Sequence, residues 1–223
     1  MDKRFLAILA GIVIILGGIF IFTKGSGDEN GGGSGGAQPT SHISGEGQAN
    51  VTLTEYGDYQ CPVCAAYYAP LKEVAAKYNK EIFFQFRNLP LTSIHPNAFA
   101  AARAAEAAGM QNKYWEMHSK LYENQSAWAG SSSPLNLFKG YAQSIGLDPT
   151  KFEQDYASET VNDAINADLD AFSKTGRPQS TPSIFINDKA VENSEMVDAT
   201  TGAPSIEKIS ALIDKAIAEQ KNQ

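Results

Sequence analysis

The sequence predicts an α/β domain over residues 49–223, preceded by an N-terminal helix and a flexible linker. Three observations indicate this class. A β-branched strand from Val51 to Gly57 runs directly into an amphipathic helix, a second strand follows at residues 81–89, and an apolar strand at residues 183–186 precedes a C-terminal amphipathic helix. A β-α-β unit and a later β-β-α unit are therefore joined by a long helical segment.

The first 23 residues predict a membrane anchor. Lys3 and Arg4 precede an uncharged apolar run from Phe5 to Phe22, with no cysteine after it that would make a lipoprotein. At about 1.5 Å per residue, a helix of this length comes close to crossing a hydrocarbon core of about 30 Å. A cleaved signal peptide is the alternative, although its apolar core is usually shorter and ends in an A-x-A-like site. The basic N-terminal side places everything after residue 24 outside the cytoplasm.

Residues 24–48 predict a flexible linker, because they are rich in Gly and Ser and lack apolar periodicity. Such a segment would tether the folded domain near the membrane. The net charge of −7 argues against nucleic-acid binding.

The two cysteines, Cys61 and Cys64, form a C-x-x-C pair that could bind zinc, serve as a structural staple or act as a redox centre. Tetrahedral zinc needs four ligands, and the three histidines lack the spacing that would complete such a site. Closing so small a loop removes little unfolded-chain entropy, which weakens the staple. An oxidising compartment favours the redox centre. Neither a metal nor any other cofactor is expected.

The local pattern around the pair also favours redox chemistry. Cys61 falls at the N-terminus of the helix, where free N–H groups and the helix dipole stabilise a thiolate. Cys64 lies one turn later on the apolar stripe and should be shielded. An exposed acidic thiol followed by a buried one is what thiol–disulfide exchange requires.

Glu55 is out of place on its strand, because alternation puts it on the same face as Val51 and Leu53. A buried carboxyl near Cys64 could exchange a proton with it as a disulfide opens and closes. The alternative is an edge strand with Glu55 in solvent. Arg87 is a candidate partner, but its face cannot be assigned from alternation.

Thr181-Pro182 immediately precedes the apolar strand at 183–186. Proline is tolerated at a strand start, and an X-Pro bond in such a turn can be cis. Thr181 would then present main-chain groups to an extended substrate.

The sequence resembles the DsbA-like branch of the thioredoxin superfamily, in particular membrane-tethered bacterial thiol–disulfide oxidoreductases. The resemblance is carried by "EYGDYQCPVC" (55–64), by residues 95–125 and by "STPSIFIN" (180–187). It implies a thioredoxin fold with a helical insertion at about residues 92–178, a nucleophilic Cys61, a resolving Cys64, a buried acid at Glu55 and a cis-proline at Pro182.

The resemblance also implies substrate contacts at Pro62, Val63 and Thr181. Better-known oxidants of this family carry His at the second position of the dipeptide between the cysteines, and Val63 cannot supply that charge. His118 beside an apolar helical stripe is interpreted as a packing residue, and His95 before a proline as a cap or turn residue.

The function expected is donation of the Cys61–Cys64 disulfide to newly exported, cysteine-containing proteins. A monomer is expected, reoxidised by a quinone-linked membrane protein as the resemblance implies. A reductase or isomerase on the same scaffold is the alternative enzyme. A non-catalytic partner- or copper-binding module is the alternative of a different class.

Overall fold

The computed structural model describes residues 37–222, which form one mixed sheet flanked by helices. The strands are β1 (His42–Ser44), β2 (Val51–Gly57), β3 (Ile82–Asn88), β4 (Ser183–Ile186) and β5 (Lys189–Val191). The helices are α1 (Pro62–Lys77), α2 (Ala98–Gly109), α3 (Tyr114–Glu123), α4 (Gln125–Trp128), α5 (Pro134–Ser144), α6 (Pro149–Tyr156), α7 (Glu159–Ser173), α8 (Asn193–Met196) and α9 (Ile206–Lys221).

The sheet has the strand order β1-β3-β2-β4-β5. It brings three chain segments together at one end of its central strands. Strands β2 and β3 are parallel and end side by side at Gly57 and Asn88, so the segments that follow them meet. Strand β4 is antiparallel to β2 and pairs its first residue, Ser183, with Tyr56. The Thr181-Pro182 turn therefore lies at the same end of the sheet as the cysteines.

The helical insertion forms a layer with its own core. The predicted insertion at residues 92–178 contains α2 to α7, and all the alanines of α2 except Ala100 are buried where helices approach closely. A second core lies between the sheet, α1 and α9. Both cysteines belong to the first core, and other residues of α1 belong to the second, so α1 joins the two layers.

The predicted linker boundary at residue 48 is corrected by the structure. Strand β1 lies inside the predicted linker and pairs antiparallel with β3. Thr40 donates to Asp168 through both its N–H, at 2.8 Å, and its hydroxyl, at 2.7 Å, while His42 pairs with Glu106 at 2.8 Å. A three-residue strand is too short to show alternation, and its partners lie far along the chain.

The predicted anchor at residues 1–23 lies outside the described residues. Within residues 37–222, no helix combines the length and the apolar character that crossing a membrane requires.

Candidate functional site

Cys61 is the N-cap residue of α1, with extended backbone angles and Pro62 in the first turn. Its Sγ accepts from the Cys64 thiol and from the main-chain N–H groups of Cys64 and Val63. The hydrogen bond from Cys64 is the largest influence and lowers the pKa of Cys61 from 9.0 to about 5, with Thr181 and the main-chain N–H groups acting in the same direction. Cys61 is therefore a thiolate at neutral pH in the reduced protein.

The expectation of an exposed Cys61 is corrected, because the residue is only 5% exposed. The Thr181 carbonyl oxygen lies 3.5 Å from its Sγ and covers it from a segment more than a hundred residues away in sequence. The neighbouring Pro62 and Val63 are exposed and border the sulfur. A reactant has to approach Cys61 beside these two residues.

Cys64 lies on the buried face of α1 and is inaccessible to solvent. Burial, followed by its hydrogen bond to Cys61 and the charge of Glu55, raises the pKa of Cys64 well above 9.0. Both cysteines are free thiols in this structure. The predicted shielding of Cys64 is confirmed.

Glu55 is 2% exposed in the central strand β2, where it lies between Phe86 of β3 and Ile184 of β4. Within residues 37–222 its Oε1 has no hydrogen-bond partner. Burial, reinforced by the nearby charge of Cys61, raises the pKa of Glu55 from 4.5 to about 8. The alternative of a solvent-exposed edge position is wrong, because β2 has a neighbour on each side.

Arg87 does not pair with Glu55. It lies beside Asp168, with Nη1 and Oδ1 3.6 Å apart, and its guanidinium packs over Tyr56 on the opposite face of the sheet. Among residues 37–222, no basic side chain forms an ion pair with Glu55, which agrees with its raised pKa.

A cavity of about 250 Å³ between α1 and α3 reaches Glu55. Its walls are apolar at Leu71 and Trp115, and His118 also lines it. His118 is buried, and its Nδ1 lies 3.1 Å from the Tyr59 hydroxyl. Burial lowers the pKa of His118 to about 3, so the ring is neutral and the packing interpretation is confirmed.

The Thr181–Pro182 peptide bond is cis, as expected from its place before β4. The contact between the Thr181 carbonyl and Cys61 confirms that the two segments meet. Spacing alone could not show this contact. The substrate-binding roles of Pro62, Val63 and Thr181 remain predictions.

The sequence analysis missed the polar residues that hold the cysteine turn. The Asp58 carboxylate pairs with His95 at 2.7 Å, and Gln125 donates its amide N–H to the carbonyls of Tyr59, at 2.7 Å, and Cys61, at 3.0 Å. The interpretation of His95 as only a cap or turn residue was incomplete. Its partner lies 37 positions away, and no local pattern signals such a pair.

The structural comparisons identify the fold. The chain superposes on BdbD from Bacillus subtilis with a TM-score of 0.66 at 24% identity, covering 82% of this chain and 97% of that chain. The alpha-DsbA1 protein of Wolbachia pipientis matches with a TM-score of 0.65 at 19% identity, covering 82% and 94%. MdbA, a thiol-disulfide oxidoreductase from Corynebacterium diphtheriae, matches with a TM-score of 0.58 at 20% identity, covering 80% and 95%.

Curated relatives match along most of this chain but only along a small part of their own. A protein named Na(+)/H(+) antiporter NhaA 1 from Salinispora arenicola is 35% identical over 162 residues, which is 73% of this chain and 24% of the antiporter. Its namesake from Mycolicibacterium gilvum is 34% identical over 158 residues, 66% of this chain and 23% of its own length. The chain thus spans about a quarter of the length of these relatives.

A family model described as Thioredoxin matches residues 37–215, which include strand β1, the cysteine turn and the first part of α9. The match covers most of the chain, and the fold is that of the DsbA-type structures above, as the resemblance implied. The chain belongs to the thioredoxin family.

Proposed function

We propose that this protein is a DsbA-like thiol–disulfide oxidoreductase that donates a Cys61–Cys64 disulfide to protein substrates. The observation that supports this most directly is the contrast between the two thiols. Cys61 has a pKa of about 5 at a helix N-terminus, while Cys64 is buried beside a carboxyl group and has a raised pKa. One sulfur is suited to leave as a thiolate and the other to close the ring again.

The first exchange step begins with the oxidised pair. A substrate thiolate attacks Cys61 Sγ, the Cys61–Cys64 bond breaks, and a mixed disulfide forms between Cys61 and the substrate. The electron pair of the broken bond goes to Cys64. Glu55, which holds its proton at neutral pH because its pKa is about 8, gives that proton to the Cys64 sulfur.

The second step releases the product. A second substrate thiolate attacks the substrate sulfur of the mixed disulfide, and Cys61 leaves as a thiolate. The substrate has then lost two electrons and the protein's disulfide has gained them. Because a low-pKa thiolate is a good leaving group, the pKa of about 5 at Cys61 favours the oxidase direction.

Substrate selection is proposed to rest on main-chain contacts. Exposed Pro62 and Val63 border the sulfur, and the Thr181 main chain lies against it from the other side. An extended segment that pairs with Thr181 would bring its own cysteine to Cys61. Such pairing is indifferent to side chains, which suits an enzyme that acts on many unfolded proteins.

The cellular setting is a proposal from the sequence of residues 1–48. The domain is tethered to the cell membrane and acts on the extracytoplasmic side on exported proteins, as a monomer that a quinone-linked membrane protein reoxidises. The apolar segment from Phe5 to Phe22 and the oxidising compartment that it implies support this setting.

A reductase is the second candidate, and Val63 is the observation that favours it. An imidazolium between the cysteines would stabilise the Cys61 thiolate, and Val63 provides no such charge.

The reduction potential distinguishes the two directions. The domain is equilibrated with defined ratios of reduced and oxidised glutathione, and the oxidised fraction is measured. A reduction potential of about −120 mV supports the oxidase, and one of about −270 mV supports the reductase. Cys64→Ser, first converted by oxidised glutathione to a Cys61–glutathione disulfide, should then accumulate a mixed disulfide with a reduced, unfolded protein as glutathione leaves, while Cys61→Ser should form none. If the wild-type domain exchanges no disulfide with glutathione or with the unfolded protein, the chain is a binding module instead.

A further inference from the structure

The turn from Asp58 to Gln60 connects β2 to α1 and sets the position of both cysteines. The Asp58 carbonyl accepts the Cys61 N–H at 3.1 Å. The Asp58 N–H donates to the sulfur of Cys64. One residue outside the C-x-x-C motif is therefore bonded through its main chain to both members of the pair.

The Asp58 side chain fixes that main chain. Its Oδ1 accepts the Gln60 N–H at 2.7 Å, and its Oδ2 accepts the Leu91 N–H at 2.9 Å. The carboxylate is fully buried, and a buried carboxylate is costly unless it has hydrogen bonds and an opposite charge. Two main-chain donors supply part of that compensation.

His95 donates a third hydrogen bond to the carboxylate. Its Nδ1 lies 2.7 Å from Asp58 Oδ2, and an acceptor-only carboxylate requires that this nitrogen carry the proton. Among residues 37–222, His95 is the only residue whose side chain hydrogen-bonds to the Asp58 carboxylate. His95 belongs to the segment from Leu89 to Asn97 after β3, which is joined to the cysteine turn again where the Asn97 N–H donates to Gln60 at 2.6 Å.

We propose that His95 and Asp58 act together as positioning residues that hold the Asp58 main chain against both cysteines and so set the balance between the dithiol and the disulfide. The proposal rests on the proposed function. Without His95, the buried carboxylate loses one of its three hydrogen-bond donors, so the turn shifts and its main-chain groups no longer align with the cysteines. The helix N-terminus then stabilises the Cys61 thiolate less well, and the disulfide becomes a weaker oxidant.

The test compares His95→Ala, Asp58→Asn and the double variant in the full chain. Two quantities are measured: the equilibrium constant with glutathione and the midpoint of the thiolate absorbance of Cys61 on pH titration. His95→Ala should raise that midpoint and shift the equilibrium toward the disulfide by about tenfold, which corresponds to one pKa unit. Adding Asp58→Asn, which removes the charge and keeps one of the two oxygens that accept main-chain N–H groups, should reverse part of the shift.

His42→Ala is the matched control. It removes another partly buried histidine–carboxylate pair, His42 with Glu106 at 2.8 Å, on strand β1. It should lower the urea midpoint of unfolding and leave the glutathione equilibrium within twofold. If His95→Ala does not fold, His95→Gln, which keeps an N–H donor but removes the ring, is measured in its place.

The outcomes separate this proposal from the proposed function. A shift with His95→Ala that Asp58→Asn reverses in part supports the pair. An unchanged equilibrium with a lowered unfolding midpoint overturns the pair while leaving the oxidoreductase intact. A wild-type chain that exchanges no disulfide overturns both.

Discussion

Cys61 and Cys64 lie one helical turn apart, yet their surroundings act on them in opposite directions. Cys61 accepts a hydrogen bond from the Cys64 thiol and others from main-chain N–H groups at the helix N-terminus, and its pKa falls to about 5. Cys64 lies in the core next to Glu55, and its pKa rises well above 9.0. A pair of identical groups thus acquires two different roles from a displacement of one turn, because one end of the helix is polar and its inner face is not.

Glu55 extends the contrast. Its raised pKa of about 8 has the same principal cause as that of Cys64, namely burial. The inner end of the site therefore stores a proton at neutral pH, while the outer end has lost one. Opening and closing of a disulfide requires both states.

The largest expected effect tests the inner end through Glu55→Gln. The folded chain keeps a proton on Glu55 up to a pKa of about 8, whereas the unfolded chain loses it near 4.5. Wild-type stability therefore falls as pH rises through this window, and the variant escapes that loss. The folded and unfolded pKa values of Glu55 differ by about 3.5. The variant should therefore gain at most about 5 kcal/mol of unfolding free energy over the wild type above pH 8, and nothing below pH 4.

Urea unfolding of both proteins across this pH range measures the gap in unfolding free energy between Glu55→Gln and the wild type. In the oxidised proteins the gap should be smaller, because the Cys61 charge that reinforces the shift is gone. A gap independent of pH would mean that Glu55 is not held protonated by burial.

Gly57→Ala tests how tightly the inner end is packed. A Cβ on Gly57 would collide with the Phe86 ring and would lie 3.1 Å from Glu55 Oε1. We expect a loss of about 1–3 kcal/mol in unfolding free energy. Gly140→Ala in α5 is the control, because a Cβ there meets nothing within 4 Å and an alanine favours the helix. Equal losses of unfolding free energy at the two glycines would contradict the interpretation that the site around Gly57 is tightly packed.

Alkylation compares the two thiols directly. At pH 6 a thiol of pKa about 5 is mostly ionised, whereas one of pKa 9.0 is ionised in about one molecule per thousand. The lower nucleophilicity of an acidic thiolate offsets about 60-fold of that advantage, which leaves Cys61 at least about tenfold faster. Peptide mapping after timed alkylation of the reduced domain measures the ratio. Similar rates for both thiols would remove the contrast on which the assignment of roles rests.

Val63→His tests the outer end and has the smallest expected effect. An imidazolium at this 47% exposed position would favour the Cys61 thiolate, but solvent screens it. The glutathione equilibrium should move toward the dithiol by a few-fold, up to about tenfold. Val63→Gln, polar but neutral, is the control. A shift of equal size with Gln would exclude charge as the cause.

The parts of the fold predicted correctly from the sequence are those that depend on local periodicity. Alternation along β2 placed Glu55 in the interior, and the stripe on α1 distinguished Cys64 from Cys61. The cis-proline at Pro182 was expected from its position before a strand, together with the resemblance.

The parts that were missed depend on contacts between distant segments. The Thr181 carbonyl lies against Cys61, which is 5% exposed, and His95 hydrogen-bonds to the Asp58 carboxylate. Arg87 turned out to face away from Glu55 because the parallel register pairs it with Tyr56. None of these contacts leaves a mark in the spacing of neighbouring residues, because the sheet topology creates them.

Strand β1 has a practical consequence for producing the domain. It covers the outer edge of β3, whose sequence "IFFQFRN" is rich in aromatic and β-branched residues. A chain shortened to start at residue 49 would lose this cover and expose a row of unpaired N–H and C=O groups, which is a template for intermolecular pairing. We expect such a shortened chain to aggregate during refolding at concentrations where the chain from residue 37 stays in solution.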